Sequence, residues 1–126
     1  MFGMLNKKQK TPENILFLIN MHIGRGTNTE IPTNLVGAYV PAFVAAPNHE
    51  AAAHEVVSNL TRQGYEFIDI ADGKIHQLDP LKWDSYVMDA WPEFVAHFPK
   101  QSEVISKLPS KLLFFGPFAS YEASNA

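Results

Sequence analysis

The runs Leu35-Val36-Gly37-Ala38-Tyr39-Val40-Pro41-Ala42-Phe43-Val44-Ala45-Ala46, Pro47-Asn48-His49-Glu50 and Tyr65-Glu66-Phe67-Ile68-Asp69-Ile70 spell, in order, a strand, a helix start and a second strand. Asn48 is a preferred N-cap, because its side-chain oxygen accepts from an amide that has no partner inside the helix. Glu50 puts negative charge at the positive end of the helix dipole. Ala53, Val56, Val57 and Leu60 recur at helical spacing and form one apolar stripe. Gly64 suits the left-handed residue that ends a helix. The pattern predicts a βαβ unit with parallel strands and a right-handed crossover.

Further along, Asp72-Gly73 separates Tyr65–Ile70 from Lys74-Ile75-His76-Gln77-Leu78 and predicts a two-residue hairpin turn. That turn sets Asp69 opposite His76 and Phe67 opposite Leu78. A one-residue slip would mix polar and apolar residues on one face. Asp79-Pro80 opens a second helix, with aspartate as N-cap and proline in the first turn. Trp83, Val87, then Ala90 and Trp91 side by side, Phe94 and Phe98 recur at helical spacing, which reads as a stripe buried on the sheet rather than a cofactor-stacking box. Pro92 kinks or restarts that helix and Pro99 ends it. Ser102 to Leu108 predicts a short helix capped by Ser102. Leu112 to Phe118 reads as the last strand.

The element order βαββαβ over residues 35–120 resembles the ferredoxin-like split-βαβ superfold, an α+β sandwich. The resemblance implies an antiparallel four-stranded sheet with both helices on one face, and it carries no functional residues. Residues 1–34 read as an N-terminal extension and residues 121–126 as a loose tail. Pro41 conflicts with a central strand, since proline has no amide for the ladder. A bulge there, or a last strand too short to reach it, would reconcile the two.

With 126 residues there is room for one domain. Apolar residues make up 46% and charged residues 18%, and a net charge of −3 argues against a broad phosphate-binding surface, hence against nucleic acid. The lack of cysteine removes disulfides and thiolate sites and fits a reducing compartment, so a cytoplasmic location is expected. Basic residues precede Ile15–Ile23, as in an export signal, but Thr11-Pro12-Glu13-Asn14 intervenes and no small-x-small site follows. No run approaches the roughly 18 apolar residues that span a bilayer. Gly24 and Gly26 lack the Lys-Ser/Thr ending of a phosphate loop. His49 and His54 are five apart, so they diverge by about 140° around a helix and cannot share a metal. No metal and no cofactor is expected.

Alternation puts Val36, Ala38, Val40, Ala42 and Val44 on one side of the first strand, and Tyr39, Pro41 and Phe43 on the other. With both helices on one side, Tyr39, Phe43, Phe67 and Leu78 form an aromatic, helix-free face. Covering about 300–400 Å² there at about 25 cal/mol per Å² is worth about 8–10 kcal/mol before ordering costs. The function expected is therefore a non-catalytic binding or regulatory module that associates through this face, most simply as a homodimer. Two alternatives stand beside it. One is an inhibitor or immunity-type protein that binds another protein. The other is a binder of small apolar ligands, or an enzyme of the dimeric αβ-barrel type, using an Asp69–His76 pair in which the carboxylate orients the imidazole as a base.

Overall fold

The structure, a computed structural model, describes residues 13–123. The N-terminal residues 1–12 and residues 124–126 of the expected tail lie outside it. The fold is α+β, built on a five-strand antiparallel sheet. In chain order the elements are β1 (Ile15–Gly24), β2 (Leu35–Ala46), α1 (His49–Arg62), β3 (Glu66–Leu78), α2 (Trp83–Ala90), α3 (Gln101–Lys107), β4 (Leu113–Phe115) and β5 (Ala119–Glu122). A 3₁₀ turn at Pro80–Lys82 leads into α2, and a 3₁₀ stretch at Pro92–His97 follows it.

The strand order is β3-β1-β2-β4, with β5 continuing the β4 edge alongside β2. It corrects the expected four-stranded ferredoxin-like arrangement. Residues assigned to an extension supply the strand inserted between β2 and β3. The cause lies in the composition of β1. Phe17, Ile19, Met21 and Ile23 point to one face and Leu16 and Leu18 to the other, and all six are buried. A strand that is apolar on both sides is stable only inside a sheet covered on both sides.

The Asp72-Gly73 hairpin is also corrected. Both halves of that segment pair with β1, Ile75 opposite Ile19 and Ile70 opposite Met21, so β3 is one strand that bulges at Ala71–Lys74 across from Asn20. Gly73 does take positive φ, at 69°, but Asp72 does not, and a type I′ turn needs both. Instead Asp72 Oδ1 accepts from Lys74 N at 3.0 Å, a local turn that lets the strand resume its direction.

Both faces of the sheet are covered by helices. On the first, Ala52, Val56 and Leu60 of α1 pack over Phe17, Ile19, Val40 and Val44. Asn48 caps α1 as expected, its Oδ1 accepting from Ala51 N at 2.8 Å. On the second, Trp83, Val87, Phe98 and Val104 pack over Leu16, Leu18 and Phe43. Helices on opposite faces correct the expectation of one covered side. Ser102 is not a cap. The first turns of α2 and α3 satisfy each other instead, Gln101 N donating to Asp84 Oδ1 at 2.9 Å and Asp84 N to Gln101 Oε1 at 3.1 Å. Asp79 does cap the start of this layer, accepting from Leu81 N at 2.9 Å.

Pro41 sits in an interior strand at no cost. Its carbonyl accepts from Gly116 N at 2.9 Å, so its nitrogen faces the same side, where the last strand breaks between β4 and β5. The ladder to β1 runs unbroken from Ile15–Ala46 to Gly24–Gly37.

Phe43, expected on an open face, is fully buried, stacked on Phe114 at 5.1 Å and met edge-on by Trp83 at 5.2 Å. Replacing Phe43 with Ala should lower the unfolding free energy by about 3–5 kcal/mol, measured by urea denaturation. An effect under about 1 kcal/mol would place the ring outside the core.

Candidate functional site

Among the described residues the second helical layer covers only part of its face. Over Leu16, Leu18, Phe43 and Leu78 the sheet is roofed, so Phe43 and Leu78 belong to the core beneath it. At Trp91 the chain leaves the α-helix and continues from Pro92 as a 3₁₀ stretch, and Asn20, His22, Tyr39 and Tyr121 are not among the residues packed in this layer. Tyr39 is 46% exposed. Phe67 is also exposed, but a register shift between His22 and Ile23 sets it opposite Ile23, a residue of the α1-side core, so it does not join Tyr39.

At the layer's edge lies a cleft of about 440 Å³, within the range of ligand-binding sites. Tyr39, Trp91 and Phe94 wall it with the Pro117–Ala119 segment, whose Phe118 ring packs on Tyr65 and Phe115 of the α1 side; Pro41 and Asn20 complete the lining. Trp91 and Phe94 meet edge to face at 6.1 Å. Behind them Tyr86 is half-buried, and burial pushes its hydroxyl pKa up, against a smaller downward pull from the Trp91 indole. That contact falls short of a hydrogen bond, and Trp91 Nε1 is buried without a partner among the described residues. The stripe Trp83–Phe98 thus divides: Trp83, Val87 and Phe98 enter the core, while Phe94 is released to the cleft.

Asp69 and His76 are not brought together. Asp69 pairs across from His22 and His76 across from Leu18, four residues apart along β1. The catalytic version built on that pair goes with it. Each residue has found another partner. Asp69 Oδ1 lies 3.5 Å from His22 Nδ1. His76 Nε2 lies 2.6 Å from Asp72 Oδ2, which also accepts from Asn20 Nδ2 at 3.3 Å.

His22 has further neighbours. Its Nε2 lies 2.6 Å from the Tyr121 hydroxyl, and the Tyr39 ring stacks on the imidazole at 4.4 Å and 15°. A side chain on residue 37 would run into the Tyr121 phenol, which explains the glycine there. Sequence reasoning missed this group because it took Ile15–Ile23 as an apolar run outside the domain. The signal lay in that run: Asn20 and His22 are polar residues two apart, hence on one face of a strand.

No group of three or more metal-ligating side chains occurs among the described residues. His49 instead packs against the Phe17 ring at 5.0 Å. Among the described residues no helix is long and apolar enough to cross a membrane. Comparison with protein-family models, curated proteins and solved structures finds no match to this chain.

The hydrogen bond from His76, helped by Lys74 N and the Asn20 amide, holds the Asp72 carboxyl below its usual 3.8, at about 2. The folded value lies below the unfolded one. Its contribution to stability is therefore complete above pH 3.8 and is lost as pH falls through about 2. The group is solvent-facing, so the contribution is small. An NMR titration of the Asp72 carboxyl carbon should give a midpoint near 2, and His76→Ala should return it toward 3.8. A midpoint unchanged by that substitution would remove the bond from the account.

Proposed function

We propose that the protein is a small, non-catalytic binding module that associates through the uncovered part of its second sheet face, with a second copy of the chain as its simplest partner. The observation that carries this reading is a step in the surface. The α2–α3 layer stands over part of the face and stops, leaving Tyr39 and Phe94 exposed around the cleft. The raised side also exposes Leu81 at 69% and Met88 at 58%. Projection and recess are both apolar and sit on one chain. A two-fold axis allows each copy to seat its projection in the other's recess. Apolar surface gathered in this way, rather than scattered, is the mark of an interaction site.

The expected working face is thereby narrowed to the part that includes Tyr39. Phe43 and Leu78 act indirectly, by anchoring the layer that forms the step. Nucleic acid is a poor occupant, since the outer strand β3 carries Glu66, Asp69 and Asp72 and the chain is net negative. The cysteine-free sequence supports the cytoplasm as the place of action.

Sedimentation velocity at micromolar concentration should find a dimer for the wild type. Met88→Asp and Tyr39→Asp should each give a folded monomer whose melting temperature moves by only a few degrees, since both side chains are exposed. A wild type that stays monomeric over the whole concentration range overturns self-association.

A further inference from the structure

Asp69, His22 and Tyr121, which the binding reading leaves unused, come from three separate strands and meet through one charge contact and one hydrogen bond. Asp69 Oδ1 lies 3.5 Å from His22 Nδ1, and His22 Nε2 lies 2.6 Å from Tyr121 Oη. The imidazole is only 18% exposed and is held flat by Tyr39, so it keeps both partners at once. With the Nδ1 proton turned toward Asp69, Nε2 carries the lone pair and the Tyr121 hydroxyl donates to it. The sequence of groups is orienting carboxylate, base, nucleophile, with a phenol in the nucleophile's place.

We propose that Tyr121 is an activated nucleophile, with His22 as its base and Asp69 orienting the imidazole, and that it accepts an acyl group from an electrophile carrying an aromatic ring. The cleft supplies the preference for that ring. Tyr39 belongs both to the cleft wall and to the stack on His22, and Asn20 and Ala119 of the lining lie two residues before His22 and Tyr121 on β1 and β5. In the step, a bond forms from Tyr121 Oη to the acyl carbon while the phenolic proton moves to His22 Nε2. The bond to the leaving group breaks, the leaving group departs with the electron pair, and the imidazolium returns the proton to it. Asp69 faces the imidazolium while it carries charge. A bond serving only to hold β5 in place would need no carboxylate behind the ring and would leave Tyr121 no more reactive than Tyr39.

Phenylmethylsulfonyl fluoride is a suitable probe, its ring standing for the aromatic group and its sulfur for the acyl carbon. The Oη–S bond forms, the S–F bond breaks and fluoride leaves. Peptide mass spectrometry of the full chain should place the adduct on Tyr121, formed about tenfold or more faster than on exposed Tyr39. His22→Gln, which can still hydrogen-bond the hydroxyl but is no base, should slow it about tenfold or more, and Asp69→Asn severalfold. Asp69 is 63% exposed, so that variant keeps the fold even if the substitution at His22 disturbs it. The proposal is independent of self-association. Repeating the assay in Met88→Asp separates a site covered by a second copy from an unreactive phenol. Equal labelling of Tyr39 and Tyr121, no adduct on Tyr121 in either background, or a Tyr121 rate unchanged in both His22→Gln and Asp69→Asn overturns it.

Discussion

β1 carries buried apolar side chains on both of its sides, and the rest of the architecture answers that demand. One side meets the α1 stripe and the other meets the aromatic layer of α2 and α3. Neither helix group can replace the other, because alternate residues of a strand face opposite ways. Pairing on both edges follows from the same demand, since a buried strand must have its amides and carbonyls taken up by neighbours. β2 matches β1 over its full length, and β3 pairs on the other side by tolerating a bulge. The bulge is a small loss against burial of a whole strand.

The incomplete second layer gives the molecule its asymmetry. Trp83 is fixed by its Nε1 donating to Pro99 O at 2.8 Å and by the rings of Phe43 and Phe114. Two residues past the last turn of α2 comes Pro92, which cannot continue the helix. The chain then needs a 3₁₀ stretch to bring Phe98 back to the core, and Phe94 is left facing outward as it does so. The break between β4 and β5 falls on the same side of the sheet, at Gly116 to Phe118. Two interruptions, each tied to a proline, thus open onto one cleft.

Local structure was legible in the sequence wherever one residue decides it. Asn48 as cap, Asp79-Pro80 as helix start, Pro92 as a break and the stripe through Val56 and Leu60 all stand in the structure. Errors arose where two readings differ only in long-range partners. Asp72-Gly73 carries the chemistry of a hairpin, and a neighbouring strand able to pair with both halves overrode it. Ile15 to Ile23 is a short apolar run whose state periodicity leaves undecided. Assigning it outside the domain moved the sheet centre, put both helices on one face and hid His22. The Asp69–His76 pair failed with the hairpin, while the residue that does face Asp69 lies in the misread run.

The geometry of β3 also bears on which surface is suited to association. Among the described residues its outer edge has no strand partner over 13 residues, and such an edge is ordinarily a template for adding another chain. Here the bulge at Ala71–Lys74 interrupts the row of free amides and carbonyls near its middle. Glu66, Asp69, Asp72 and Lys74 flank or occupy it, and charges on an edge disfavour further pairing. The His76–Asp72 contact, with Asn20 reaching the same carboxylate, holds the bulge in shape. An edge interrupted in this way is poorly suited to strand addition. The cleft of the stepped face is lined mainly by apolar side chains, with Asn20 toward the bulge, and apolar contact there requires no ladder to be in register.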